Sequence, residues 1–239
     1  MSAVSLPLIT AHAVALVMVL GGGWAGCGAP ANQASGQDLA APADLAFVPS
    51  GCPAPPVVTP GDLPAGYLPA QSVQLDYTVD GDTAHFLYVD GARISRFLWI
   101  NTEESHGAET TDFGVATVPV VDGWLKAAQK IEVAFQRDSQ NPTQPRLDPY
   151  DRYLSLVFVD GELLQTRIVR EGYSAYYTEF GCAASPIHES LLYAEAEARA
   201  NQRGIWAPGH PTDYSAVFKQ WIGRRTCRPN PFDQEPYCN

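Results

Sequence analysis

The chain has 239 residues, 17% of them charged, and a formal net charge of −11 at pH 7. It is long for one small domain, short for two average ones, and long enough to bury a core without depending on disulfides. Residues 71–208 alone hold 11 basic and 20 acidic side chains, which argues against long-range attraction of nucleic acid; any polyanion must be held by local arginines and a cation.

In chain order, residues 1–26 read as an export signal. Ala11 to Leu20 (AHAVALVMVL) is an apolar core too short to span a bilayer comfortably, and GGGWAGC follows with small residues at Ala25 and Gly26. A Cys directly after Ala-Gly resembles a bacterial lipobox, although Trp24 stands where that motif has an aliphatic residue. Cys27 is therefore the expected lipidation site, and the protein is expected outside the cytoplasm as a membrane-anchored lipoprotein or a secreted protein of the bacterial envelope. Residues 27–70, rich in Ala, Pro and Gly with few aromatics, are expected to form a flexible tether.

From Val73 the pattern changes. QSVQLDYTV, TAHFLYV and RISRFLWI are strand-like, with β-branched and aromatic residues in alternation, and DGD and DG punctuate them as turns. Glu109 to Gln129 is a candidate helix that Pro119 and Gly123 should distort. KIEVAFQ (130–136) and RYLSLVFV (152–159) read as strands, joined by a loop holding Pro142, Pro145 and Pro149. After Asp160-Gly161, ELLQTRIVREG reads as a helix stopped by Gly172, and Pro186 to Arg203 as another, with Leu191, Leu192 and Ala198 on one side. Together these elements predict an α+β, mainly β domain over residues 71–208, a small closed sheet with helical flanks. Residues 209–239 form a C-terminal extension of weak periodicity.

With Cys27 set aside, Cys52, Cys182, Cys227 and Cys238 remain, an even number that suggests two disulfides and allows three pairings. Cys227–Cys238 would close a short Pro- and Asn-rich loop, leaving Cys52–Cys182 to tie the tether to the domain. No CxxC and no Cys/His metal spacing occurs, so zinc is not expected.

The chemistry concentrates between Tyr77 and Glu104, with Arg152 in the loop DPYDR. Asp80-Gly81-Asp82-Thr83 alone is a common hairpin turn, and Asn101-Thr102-Glu103-Glu104 alone is a capping arrangement at a helix entry. Arg96 is different, because it interrupts an apolar strand and needs an anionic partner. Acidic oxygens beside guanidinium groups can hold a hard cation and a phosphodiester together. His85 reads as an exterior strand residue, His106 as a loop histidine and Trp206 as packing.

From about Asp76 to Trp206 the chain resembles the staphylococcal nuclease family. The resemblance rests on DGDT at 80–83, Arg96 ahead of NTEE at 101–104, DPYDR at 148–152, VREG at 169–172 and EAEARANQRGIW at 195–206. It implies a five-stranded OB-fold β-barrel with three flanking helices. It also implies a Ca2+ site at Asp82, Asn101 and Thr102, a general base at Glu104, and phosphate clamps at Arg96 and Arg152. Tyr150, Tyr176 and Tyr177 are the expected substrate contacts. The chain departs from the family pattern at Asn101, where an aspartate is usual, at Glu103, where proline is usual, and at Asp151, where glycine is usual. The resulting expectation is an exported, monomeric, calcium-dependent nuclease acting on DNA or RNA. The alternative is a catalytically weakened module of the same fold that binds nucleic acid or protein.

Overall fold

Residues 56–212 are described in the computed structural model. Residues 1–26, where an export signal is expected, and Cys27, Cys52, Cys227 and Cys238 lie outside the described residues.

Three strands follow one another through two-residue turns: β1 (Gln71–Asp80), β2 (Thr83–Tyr88) and β3 (Gly91–Phe97) form an antiparallel meander. The alternation of β2 sorts its side chains between faces: Ala84, Phe86 and Tyr88 are buried, whereas Leu87 is exposed. β4 (Ile131–Phe135) pairs antiparallel with the start of β1 and with β5 (Tyr153–Val159). β5 then lies parallel to β3 through Ser95↔Tyr153, Arg96↔Leu154 and Phe97↔Ser155, closing a five-stranded mixed barrel. Because β5 is covered on both faces from Ser155 onward, it reads as an almost unbroken apolar run.

α1 (Asp112–Ala127) starts at Thr111, whose hydroxyl accepts the Gly114 N–H, and buries Gly114, Thr117, Val121 and Leu125 as one stripe. The helix runs on through Pro119 and Gly123. Pro119 lies on the exposed side with Val115, whose carbonyl loses its intrahelical partner where solvent can replace it. The run ELLQTRIVREG is not helical throughout. Glu162–Leu163 pair with β5 as a short strand, β6, and α2 (Leu164–Arg170) begins after them. α3 (Ile187–Ala200) packs on α2, and nearly every residue from Ser190 to Ala198 is buried.

Part of the expected tether is folded. Val58 and Tyr67 are buried in the core, and the Leu68 N–H donates to the Phe135 carbonyl at 2.8 Å. Tyr67 bridges to Gln136 just beyond β4, an anchorage that composition averaged over 27–70 does not reveal. Cys182 is disulfide-bonded. No helix among the described residues is long and apolar enough to cross a membrane.

Candidate active site

The turn between β1 and β2 sets Asp82. The Asp82 N–H donates to Asp80 Oδ1 at 3.0 Å, closing the turn on itself. Gly81 lies so close to Thr102 and Thr117 that a Cβ there would come within 2.7 Å of their methyl groups. The close approach puts Asp82 beneath the loop that follows β3. Its Oδ2 accepts the Thr102 N–H at 2.9 Å and lies 3.3 Å from the Thr102 hydroxyl, while Oδ1 accepts from Thr83 at 3.1 Å. Asp82 is 5% exposed. Burial pushes its carboxyl up to about 7; the Arg96 guanidinium opposes the rise, Asp80 adds to it, and the Thr102 N–H opposes it.

Arg96 comes from β3, paired in register with Thr83. Its Nη1 donates to the Phe97 and Ile100 carbonyls at 2.9 and 3.1 Å. Its Nη2 donates to Asn101 Oδ1 at 2.8 Å and lies 3.1 Å from Asp82 Oδ2. The two side-chain oxygens expected to bind a cation therefore converge on one guanidinium nitrogen. The bend that allows this is at Trp99, a non-glycine residue at φ 68°, a conformation worth about 1–3 kcal/mol of strain. Surrounding contacts hold the bend: the Tyr177 N–H donates to the Trp99 carbonyl at 2.8 Å, and the Ser174 hydroxyl accepts the Asn101 N–H at 2.8 Å. Ser174 is 73 residues from Asn101 in sequence; no local pattern announces it.

Glu104 is exposed, and its main chain is fixed from α1. The Thr111 N–H donates to the Glu104 carbonyl at 3.0 Å, and a Cβ on Gly114 would come within 2.2 Å of that oxygen. Glu103 turns the other way. Its buried carboxylate accepts from the Thr111 hydroxyl and lies 3.4 Å from His210 Nε2.

Arg152 stands just before β5, and the parallel pairing with β3 brings that strand start beside the Arg96 strand. Its Nε donates to Asp148 Oδ2 at 2.7 Å, and its guanidinium lies 5.4 Å from the exposed Tyr150 ring. Burial acts to raise the Asp148 carboxyl, but the Arg152 and Tyr150 N–H groups outweigh it and hold the group below its ordinary value. Tyr176 does not belong with the expected substrate contacts. It is fully buried, and its hydroxyl accepts the Ala183 N–H at 2.9 Å and lies 2.9 Å from His188 Nδ1. Its backbone bridges to Ile100 within a buried stretch from Ser174 to Tyr176, and its neighbour Tyr177 is the partly exposed one. The Tyr177 hydroxyl donates to Glu179; burial first, then Glu179, pushes it up to about 12, and Arg96 is near enough to oppose that rise. A groove of about 790 Å³ between β1, β2 and the end of α1 shares no residue with this cluster.

A carboxylate, an amide oxygen and the Thr102 carbonyl are hard donors that suit calcium better than zinc. Among the described residues no group of three or more His, Cys, Asp and Glu is arranged to hold a metal ion, so such a site has little charge of its own. Convergence of Asp82 and Asn101 on a cationic nitrogen still shows that this position favours positive charge, and in that sense the residues fit a cation.

Residues 95–208 match the family described as staphylococcal nuclease homologue. The match includes Arg96, Asn101, Thr102, Glu104 and Arg152 and begins after Asp82. The chain is 27% identical over 144 residues to the SPbeta prophage-derived endonuclease YokF of Bacillus subtilis (strain 168), covering 59% of this chain and 46% of that protein. It is 24% identical over 136 residues to endonuclease YncB of the same organism, covering 57% of this chain and 62% of that protein. The chain thus spans only about half to three-fifths of these curated relatives.

Proposed function

We propose that the chain, whose residues 95–208 match the staphylococcal nuclease homologue family, is a calcium-dependent nuclease that hydrolyses phosphodiester bonds of DNA or RNA. The observation that carries this reading is the convergence of Asp82 Oδ2 and Asn101 Oδ1 on Arg96 Nη2, with the exposed Glu104 on the same loop. Asp82, Asn101 and the Thr102 carbonyl would hold Ca2+, which when bound supplies positive charge to a phosphate oxygen and a position for water.

The chain's own residues do the rest. Glu104 accepts a proton from the attacking water, whose oxygen lone pair forms the new bond to phosphorus in line with the departing oxygen. The leaving oxygen takes the electron pair of the broken P–O bond. Arg96 and Arg152 stabilise the charge that develops on the phosphorus oxygens, an effect worth several kcal/mol per group in comparable sites. Arg96 can act through its Nε–H or by releasing one of its four protein acceptors, and Arg152, which meets Asp148 through Nε, can offer its Nη groups. Tyr150 and Tyr177 border the clamps and offer ring faces to a nucleotide. The proposal includes export, with Cys27 as the lipid anchor or with a simply secreted product.

A second reading, a binding module of the same fold, is favoured by one observation: Arg96 already has four protein acceptors, and Asn101 brings no charge to the cation. Incubating the full chain with denatured DNA and with RNA, with and without Ca2+, separates the two. Cleavage that requires Ca2+ is expected. Tight binding without cleavage at saturating Ca2+ would favour the second reading, and neither binding nor cleavage would overturn both.

A further inference from the structure

We propose that Glu103 and His210 form a clasp that positions the catalytic loop, making both of them positioning residues for Glu104; the proposal rests on the nuclease reading above. Glu103 is adjacent to the exposed Glu104, yet its own side chain is only 6% exposed. One carboxylate oxygen accepts from the Thr111 hydroxyl, which also accepts the Gly114 N–H at 2.9 Å as the cap of α1. The other oxygen lies 3.4 Å from His210 Nε2, on a side chain 7% exposed.

His210 Nδ1 lies 3.2 Å from the Thr212 nitrogen and 3.3 Å from the Thr212 carbonyl oxygen; in the tautomer that accepts from the Thr212 N–H, the ring proton sits on Nε2, facing Glu103. The ring is fixed by an edge-on contact with Phe113 at 5.0 Å, and Phe113 stacks on Tyr173 at 5.8 Å. One carboxylate therefore joins three segments: the loop of Asn101 to Glu104, the start of α1, and the chain beyond α3.

The Thr111 hydroxyl supplies the hydrogen bond to this buried carboxylate, and the other oxygen, with no hydrogen bond of its own among the described residues, has the His210 ring as its ion-pair partner at 3.4 Å. Thr111 holds the loop from one side through both its hydroxyl and its N–H, the latter to the Glu104 carbonyl at 3.0 Å. His210 holds it from the other. The phosphate clamps lie outside the clasp, because neither Arg96 nor Arg152 bonds to Glu103, Thr111 or His210. Loosening the clasp should therefore misplace the base and spare substrate binding.

The test uses the full chain with His210→Ala and His210→Gln, the latter restoring an N–H donor. On a single-stranded oligodeoxynucleotide with saturating Ca2+, His210→Ala is expected to lower kcat about tenfold with KM within about twofold, and His210→Gln to recover most of the loss. Amide exchange of the calcium-free chain supplies a second readout. Protection across residues 102–114 should fall in His210→Ala, return in His210→Gln, and stay at the wild-type level in β4 and β5. Unchanged exchange across 102–114, or a loss spread over the whole barrel that Gln does not restore, would overturn the clasp. If the wild-type chain cleaves nothing, the nuclease reading fails and the exchange result decides the clasp alone.

Discussion

The Asn101 amide oxygen accepts a 2.8 Å hydrogen bond from Arg96, and the donating nitrogen also lies 3.1 Å from Asp82. The guanidinium thus occupies the oxygens that the proposed cation needs. In the proposed function, cation and guanidinium compete for the same two partners, and Arg96 serves as a placeholder that becomes a clamp once displaced toward a phosphate.

The competition makes Asn101→Asp informative. A second carboxylate adds charge to the cation site and should tighten Ca2+ binding, by about tenfold in a calorimetric titration of the purified chain. The gain is partly offset because the new carboxylate also pairs more strongly with Arg96 when Ca2+ is absent. An unchanged or weaker Ca2+ affinity would show that Asn101 is not a ligand.

Asp82 links the site to pH. Its carboxyl is raised from 3.8 to about 7 by burial, against Arg96. A raised carboxyl pKa means that the folded state holds a proton that the unfolded state has released. The contribution to stability is then fully present below about pH 4 and is lost as pH rises through about 7, on the order of a few kcal/mol. In chelator, urea unfolding of wild type should show this fall across pH 4–8, and Asp82→Asn should be flatter. Excess Ca2+ should remove the difference above pH 7, and Ca2+ affinity should rise with pH up to that point as the proton stops competing. A wild-type slope equal to that of Asp82→Asn would rule out the buried protonated carboxyl.

The barrel is legible in the sequence because alternation and two-residue turns determine the β1–β3 meander locally, and the apolar run of β5 marks a strand covered on both faces. Glu162–Leu163 escape that reading because pairing with β5, a long-range contact, overrides the helical pattern that continues from Leu164. At the site, Asp82, Arg96 and Asn101 are legible as residue types in recognisable turns. Ser174 and His210 are not, since their roles depend on contacts across the fold. Tyr176 misleads because adjacent tyrosines point to opposite sides, and sequence alone does not say which one the core takes.

Glu104→Gln tests the proposed base directly. The side chain is exposed, so removing its charge should leave the thermal midpoint nearly unchanged while reducing Ca2+-dependent DNA cleavage by about 10²–10⁴-fold. Arg96→Ala should also reduce cleavage by orders of magnitude, but with lost stability, because it uncovers the buried Asp82. Comparing melting curves with rates distinguishes the two. Full activity in Glu104→Gln would remove Glu104 from the mechanism.

Gly114 and Gly123 lie on the same helix and should respond oppositely to alanine. At Gly114 a Cβ would meet the Glu104 carbonyl oxygen at 2.2 Å and the Glu103 carbonyl oxygen at 2.7 Å, and both are backbone atoms that can yield only by moving the loop. Gly114→Ala should therefore destabilise the chain by about 1–3 kcal/mol, as overpacking does, and reduce cleavage more than the lost stability explains because Glu104 moves with its carbonyl. Gly123 is exposed, and a methyl group there would have nothing within 4 Å. Alanine at that position removes only backbone freedom in the unfolded chain, so Gly123→Ala should stabilise by about 0.5–1 kcal/mol and leave the rate alone. Thermal unfolding and cleavage rates measured on both variants decide the matter. A Gly114→Ala chain as stable and as active as wild type would show that α1 does not press on the loop of Glu103 and Glu104.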